Sequence, residues 1–180
     1  MCKSELRFTG SGGQGVILST IIMAEAAFLD GKNVVQSQSY GPEARGGMCK
    51  AELLVDEKAV NYTKVTKPTC LLSLTQQSFD KYKENLADDA VLVIDNSINV
   101  PTSINTSHKV YKLPILDSAK TIIKNPMSAN IISVGAVNEV LSLTSKESLE
   151  DAVTAHIPKG TKESNVNAMN LGAKLVKEYV

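Results

Sequence analysis

The sequence predicts an α/β fold, a single domain over residues 1–180 in which helices cover both faces of a mostly parallel β-sheet. Three observations predict it. Strand-like and helix-like segments alternate along the chain, the order that builds parallel sheets. Ala90-Val-Leu-Val-Ile-Asp95 is a compact apolar run of strand length, the clearest strand in the protein. A glycine-rich turn, Gly10-Ser-Gly-Gly-Gln-Gly15, joins a first strand to a first helix.

The elements follow in order. Leu6 to Thr9 is short, half apolar and runs into glycines, as a first strand would. Val16 to Leu29 is apolar or small at nearly every position, a helix buried on most sides and stopped at Gly31. Asn33 to Ser39 reads as the next strand. The turn-forming stretch Tyr40-Gly-Pro-Glu-Ala-Arg-Gly-Gly47 follows it, and then Met48 to Val55 alternates with Lys50 and Glu52 on one face. Cys70 to Leu74 makes a buried strand after Pro68, Gln77 to Leu86 a short helix, and Lys109 to Leu113 a strand ended by Pro114. The remainder has helical patterning: Asp117 to Lys124, Ala129 to Leu141, Ser145 to Ala155 and Lys162 to Glu178.

Composition removes several function classes. Nineteen basic and nineteen acidic residues leave no net charge, so the cationic footprint of a nucleic-acid binder is missing. No apolar run approaches the roughly 20 residues of a membrane helix. Glu5 and Arg7 fall where a signal peptide needs apolar residues, so a cytoplasmic protein is expected. Cys2, Cys49 and Cys70 are widely spaced without a Cys-x-x-Cys, and His108 and His156 have no metal-ligand partner at helical spacing. Neither a zinc site nor an iron–sulfur cluster is expected within this chain.

The glycine turn has the right context for an anion. Glycines let the backbone bend sharply and approach a ligand, and a helix N-terminus supplies free N–H groups and positive dipole. The spacing satisfies Gly-x-Gly-x-x-Gly, yet the second strand ends Val35-Gln-Ser-Gln-Ser39 with no carboxylate to grip a ribose. Val16-Ile17 stand where a P-loop needs Lys-Ser/Thr. Both usual nucleotide readings are disfavoured. A backbone anion site, a close contact with another protein, or tight strand-to-helix packing remain.

The second loop is equally unusual. Pro42 stiffens it, Gly41, Gly46 and Gly47 free its dihedrals, and Glu43 and Arg45 set opposite charges close together. Following the second strand, it should emerge at the same sheet edge as the glycine turn, where open α/β sheets bind ligands.

Together the two segments resemble the gamma subunit of the 2-oxoacid:ferredoxin (acceptor) oxidoreductases, a unit also fused into single-chain pyruvate:ferredoxin oxidoreductases. The likeness continues through Leu71-Leu-Ser-Leu-Thr-Gln-Gln77 to Tyr82, Val93-Ile-Asp-Asn96, Asn130 to Val137, and Asn165 with Gly172. Glu43-Ala-Arg-Gly-Gly47 and Cys49-Lys-Ala-Glu52 look most like the 2-oxoglutarate type, with pyruvate or branched-chain enzymes as the alternative. The resemblance implies a Rossmann-like gamma domain that has no catalytic residue or cofactor of its own. It implies thiamine diphosphate and magnesium on alpha and beta subunits, iron–sulfur clusters on further partners, coenzyme A as co-substrate, and ferredoxin or flavodoxin as acceptor. It also implies that Gly12, Gly13, Gln14, Gly15, Tyr40, Glu43, Arg45 and Gly46 face coenzyme A or a partner subunit.

Overall fold

The computed structural model describes residues 3–39 and 47–178. Six strands, β1 (Ser4–Ser11), β2 (Asn33–Gln38), β3 (Met48–Asp56), β4 (Cys70–Ser73), β5 (Val91–Asp95) and β6 (Lys109–Leu113), form one sheet in the order β2-β3-β1-β4-β5-β6. β1, β4, β5 and β6 are parallel, while β3 pairs antiparallel with both β1 and β2. β2 therefore runs the same way as β1, and only β3 opposes the rest. The eight-residue register with β3, from Ser4↔Val55 to Ser11↔Met48, extends β1 beyond its apolar centre.

Side-chain alternation splits the sheet between two cores. Leu6, Phe8, Ala51, Leu53, Leu72, Val93 and Tyr111 point into the larger one. There they meet α1 (Val16–Leu29), α4 (Ile115–Thr121), α5 (Ala129–Leu141), α6 (Lys146–Ala155) and α7 (Lys162–Glu178). Leu71, Leu92 and Ile94 point the other way, against α2 (Gln76–Tyr82) and α3 (Thr102–Ser107). Each fully buried Leu or Phe in these cores contributes about 1.5–3 kcal/mol. Over β1 and β3 the second face is charged instead. Arg7 and Glu52 are cross-strand partners whose Nε and Oε1 lie 2.7 Å apart, and Lys50 Nζ reaches the same oxygen at 3.2 Å.

In the larger core, α5 and α7 cross at contact distance. A Cβ on Gly135 would lie 2.0 Å from the Met169 carbonyl oxygen, and one on Gly172 would lie 2.0 Å from that of Ile132. The two glycines let the backbones touch, which fixes the height of α5 against the sheet.

The structure departs from the expected elements in places with local causes. α2 stops at Tyr82, and Asn85 takes a left-handed φ of 58° that no helix continues. α4 begins at Ile115, two residues early, because Asp95 Oδ2 accepts from Leu116 N at 2.9 Å and caps the turn after Pro114. α3 has no strong helix former; Ile104, packed on the second core, anchors it. Among the described residues no helix is long and apolar enough to cross a membrane.

Candidate functional site at the carboxyl edge of the sheet

β1 delivers the chain to the carboxyl edge at Ser11, and α1 leaves it at Val16. Between them the turn is braced from inside. Gln14 N donates to Ser11 O at 3.2 Å, and Gln14 Oε1 accepts from Ser11 N at 2.7 Å. That same oxygen lies 2.6 Å from where a Cβ on Gly10 would stand, so Gly10 makes room for the brace. The side-chain amide oxygen of Gln14 is thus a structural part of the turn.

Gly13 and Gly15 adopt positive φ, 90° and 71°. Gly13 is exposed, with open space where its Cβ would be. Gly15 is the N-cap of α1 and has a neighbour: a Cβ there would sit 2.6 Å from Asn130 Nδ2. Asn130 lies in the first turn of α5, so the N-termini of two long helices meet at the glycine turn. Ser19 ties them, its Oγ donating to Gly15 O at 3.1 Å with Asn130 O at 3.3 Å. Neither helix has a side-chain cap or an acidic residue in its first turn. The N-terminal end of α1, with its free N–H groups, carries the partial positive charge of a helix dipole.

Tyr40, Glu43, Arg45 and Gly46 lie outside the described residues. The residues on either side place the ends of that segment: Ser39 N donates to Lys50 O at 3.3 Å, and Gly47 O accepts from Gly12 N at 3.0 Å. Both ends stand at the edge of the glycine turn, and one is hydrogen-bonded to it, as the strand order predicted. Asn130 is the residue that site reasoning from sequence missed. It stands 115 positions from Gly15, and no local pattern announces the contact.

Among the described residues the two cysteines, Cys49 and Cys70, are buried. Burial pushes Cys70 up to about 12 and raises Cys49, so both stay protonated at neutral pH. Among the described residues no three His, Cys, Asp or Glu side chains are grouped to hold a metal.

This geometry belongs with known proteins. The sequence profile of the pyruvate ferredoxin/flavodoxin oxidoreductase family matches residues 5–175. The chain belongs to that family. As a family member it is a subunit of a multi-subunit oxidoreductase, and the complex's cofactors are carried by its partners. It is 40% identical over 178 residues to the 2-oxoglutarate synthase subunit KorC of Methanocaldococcus jannaschii, covering 98% of this chain and 95% of that one. It is 30% identical over 171 residues to the common gamma subunit of the pyruvate/ketoisovalerate oxidoreductases of Pyrococcus furiosus, covering 91% and 92%. The gamma subunit of a keto/oxoacid ferredoxin oxidoreductase from Geobacter sulfurreducens PCA superposes with a TM-score of 0.89 at 36% identity, covering 99% of both chains.

Proposed function

We propose that this chain is the gamma subunit of a 2-oxoglutarate:ferredoxin oxidoreductase. The complex releases CO2 from 2-oxoglutarate, transfers the remaining succinyl group to coenzyme A, and passes the electrons to ferredoxin or flavodoxin. In this reading thiamine diphosphate with magnesium, on the alpha and beta subunits, supplies the decarboxylation chemistry, and iron–sulfur clusters on a small partner supply the electron route. The observation that carries the substrate is the 40% identity to a 2-oxoglutarate synthase subunit along nearly the whole chain, against 30% to a pyruvate/ketoisovalerate subunit.

This chain's own contribution is binding and assembly. The Gly12 N–H is taken by Gly47 O, so the backbone N–H groups of Gly13 and Gly15 and the α1 N-terminus are the donors offered to a phosphate group of coenzyme A. Gln14 holds the turn in shape. From the second segment, Arg45 offers a bidentate guanidinium, with Tyr40, Glu43 and Gly46 shaping its approach. Reconstitution tests the whole reading: adding this chain to its partner subunits is expected to restore ferredoxin reduction that requires both 2-oxoglutarate and coenzyme A. A complex that turns over pyruvate in preference, or a chain that purifies without partners, overturns it.

In a second reading the same edge makes only protein contacts, which the internal bracing by Gln14 and the Gly12–Gly47 bond favours. Arg45→Ala separates the two. An edge facing coenzyme A raises the KM for coenzyme A with assembly intact; a purely adhesive edge weakens assembly and leaves that KM unchanged.

A further inference from the structure

The two edges of the sheet are finished differently. β6 carries exposed Lys109 and Lys112 and stops at Pro114, features that keep an edge strand from pairing with another chain. β2 has no charge and no proline, and its ladder with β3 runs from Asn33↔Asp56 to Gln38↔Ala51 without a bulge. Among the described residues it has no strand on its outer side, and none of its residues is fully buried. Ser39 N donates to Lys50 O, so the alternation of an antiparallel ladder turns the backbone N–H and C=O groups of Val34 and Gln36 outward.

α1 continues this surface. Glu25 is its one charged residue, and a helix apolar on nearly every side belongs inside a core. Yet Ile17, Ile21, Ala24 and Phe28, one stripe at helical spacing, are not fully buried, and Phe28 is 67% exposed. The stripe lies beside Thr20, whose Oγ1 accepts from Gln36 Nε2 at 3.1 Å, and so it overhangs β2. On its other flank Glu25 pairs with His156 of α6. An uncharged strand edge and an apolar helix stripe thus form one surface.

We propose that this surface joins two copies of the chain about a two-fold axis through Val35, with β2 pairing antiparallel to β2 of the second copy. The axis sets Val34 opposite the other copy's Gln36, where their outward backbone groups exchange hydrogen bonds, and Val35 meets its own copy. A two-fold axis brings each side chain near it against itself, so a charge there would repel its mate. β2 has none, and neither has the α1 stripe. That self-complementarity singles out a second copy as the occupant. The spacing agrees. Paired strands lie about 4.8 Å apart, so a helix seated over β2 and β3 stands roughly 10 Å from its symmetry mate, the distance at which helices pack. The pairing is independent of what the glycine turn binds.

Sedimentation equilibrium of the full chain tests this, with Val35→Lys, Val35→Glu and Phe28→Glu beside wild type. Wild type is expected to be a dimer. Each Val35 variant sets like charges face to face across the axis and is expected to weaken the dimer roughly tenfold or more. An equimolar mixture of the two is expected to recover it, because lysine then faces glutamate. Phe28→Glu changes a side chain already exposed in the single chain, so it weakens the dimer without unfolding the monomer, and it decides the matter should the Val35 variants fail to fold. A wild-type chain that is monomeric at every concentration, variants that remain dimers, or a mixture that does not recover the dimer overturns the proposal. A chain that is monomeric alone, and whose reconstituted complex sheds a partner subunit on Val35→Lys, overturns it too and gives the edge to a different protein.

Discussion

The two ends of α1 solve the same problem in opposite ways. At its C-terminus the carbonyls of Ala26, Ala27 and Phe28 are taken up by Asp30 N, Lys32 N and Gly31 N. Lys32 N returns to Ala27 O at 3.0 Å across a left-handed Gly31, and Asp30 turns outward to cap the neighbouring helix. The Asp30 carboxylate accepts from Ser145 N, Ser145 Oγ and Ser148 Oγ, and Ser145 itself caps α6. At the N-terminus Gly15 contributes no side chain, the first turn has no acid, and the start of α5 packs against the same point. One end of α1 is closed by the backbone N–H groups that follow it, while its other end begins on a glycine with no side chain to cap it. In the proposed function that end receives a group from outside the chain.

The largest way to break that contrast is to move α5. Gly172→Ala or Gly135→Ala sets a methyl 2.0 Å from a backbone oxygen, where only separation of α5 and α7 relieves it. Alanine is the better helix former by about 1 kcal/mol, so the net loss, expected near 3 kcal/mol in urea unfolding, understates the clash. Because the start of α5 packs on Gly15 in the glycine turn, the KM for coenzyme A should rise even in the folded fraction. A loss under about 1 kcal/mol would show that the crossing is looser than drawn.

Gly15→Ala comes next. The new methyl meets a side chain, which can shift, rather than backbone, and the left-handed φ adds about 1–2 kcal/mol. A total near 2 kcal/mol is expected, with a rise in the KM for coenzyme A out of proportion to the stability lost.

How much of this was legible follows from what each feature depends on. α1, α5 and α7 match the expected Val16 to Leu29, Ala129 to Leu141 and Lys162 to Glu178, because apolar patterning and flanking breakers are local. α3 was not legible: Thr102-Ser-Ile-Asn-Thr-Ser107 favours turns, and a single isoleucine against the second core holds it helical. The direction of β3 was equally hidden, since alternation reads the same in parallel and antiparallel strands. For the site, the glycine turn and its shared edge with the second segment could be read from strand order. The contact of Asn130 with Gly15 could not, because it exists only once α5 is packed by Gly135 and Gly172.

Gly13 and Gly31 make a matched pair across the two ends. Their φ values are 90° and 78°, and a Cβ on either meets nothing within 4 Å. Alanine at each should therefore lose about 1 kcal/mol, by backbone strain alone. Only Gly13→Ala should raise the KM for coenzyme A, severalfold. Equal effects of the two on that KM would mean that the open end is no more functional than the sealed one.

The smallest effect probes the sealed end by pH. Burial pushes the Asp30 carboxyl up, but hydrogen bonds from Ser148 and Ser145, with Lys32 nearby, outweigh it and hold the group below its ordinary value of 3.8. In the unfolded chain it protonates near that ordinary value. Its contribution is thus fully present above pH 3.8 and is lost as the pH falls through the lower folded value. Asp30 is largely exposed, so solvent screening keeps the contribution below about 1 kcal/mol. Asp30→Asn should lower stability slightly at neutral pH, and its unfolding midpoint should converge on wild type as the solution is acidified below the ordinary carboxylate range. A gap that stayed constant with pH would assign the loss to packing against α6. Either way the KM for coenzyme A should not move, because this end of α1 is closed by the chain itself.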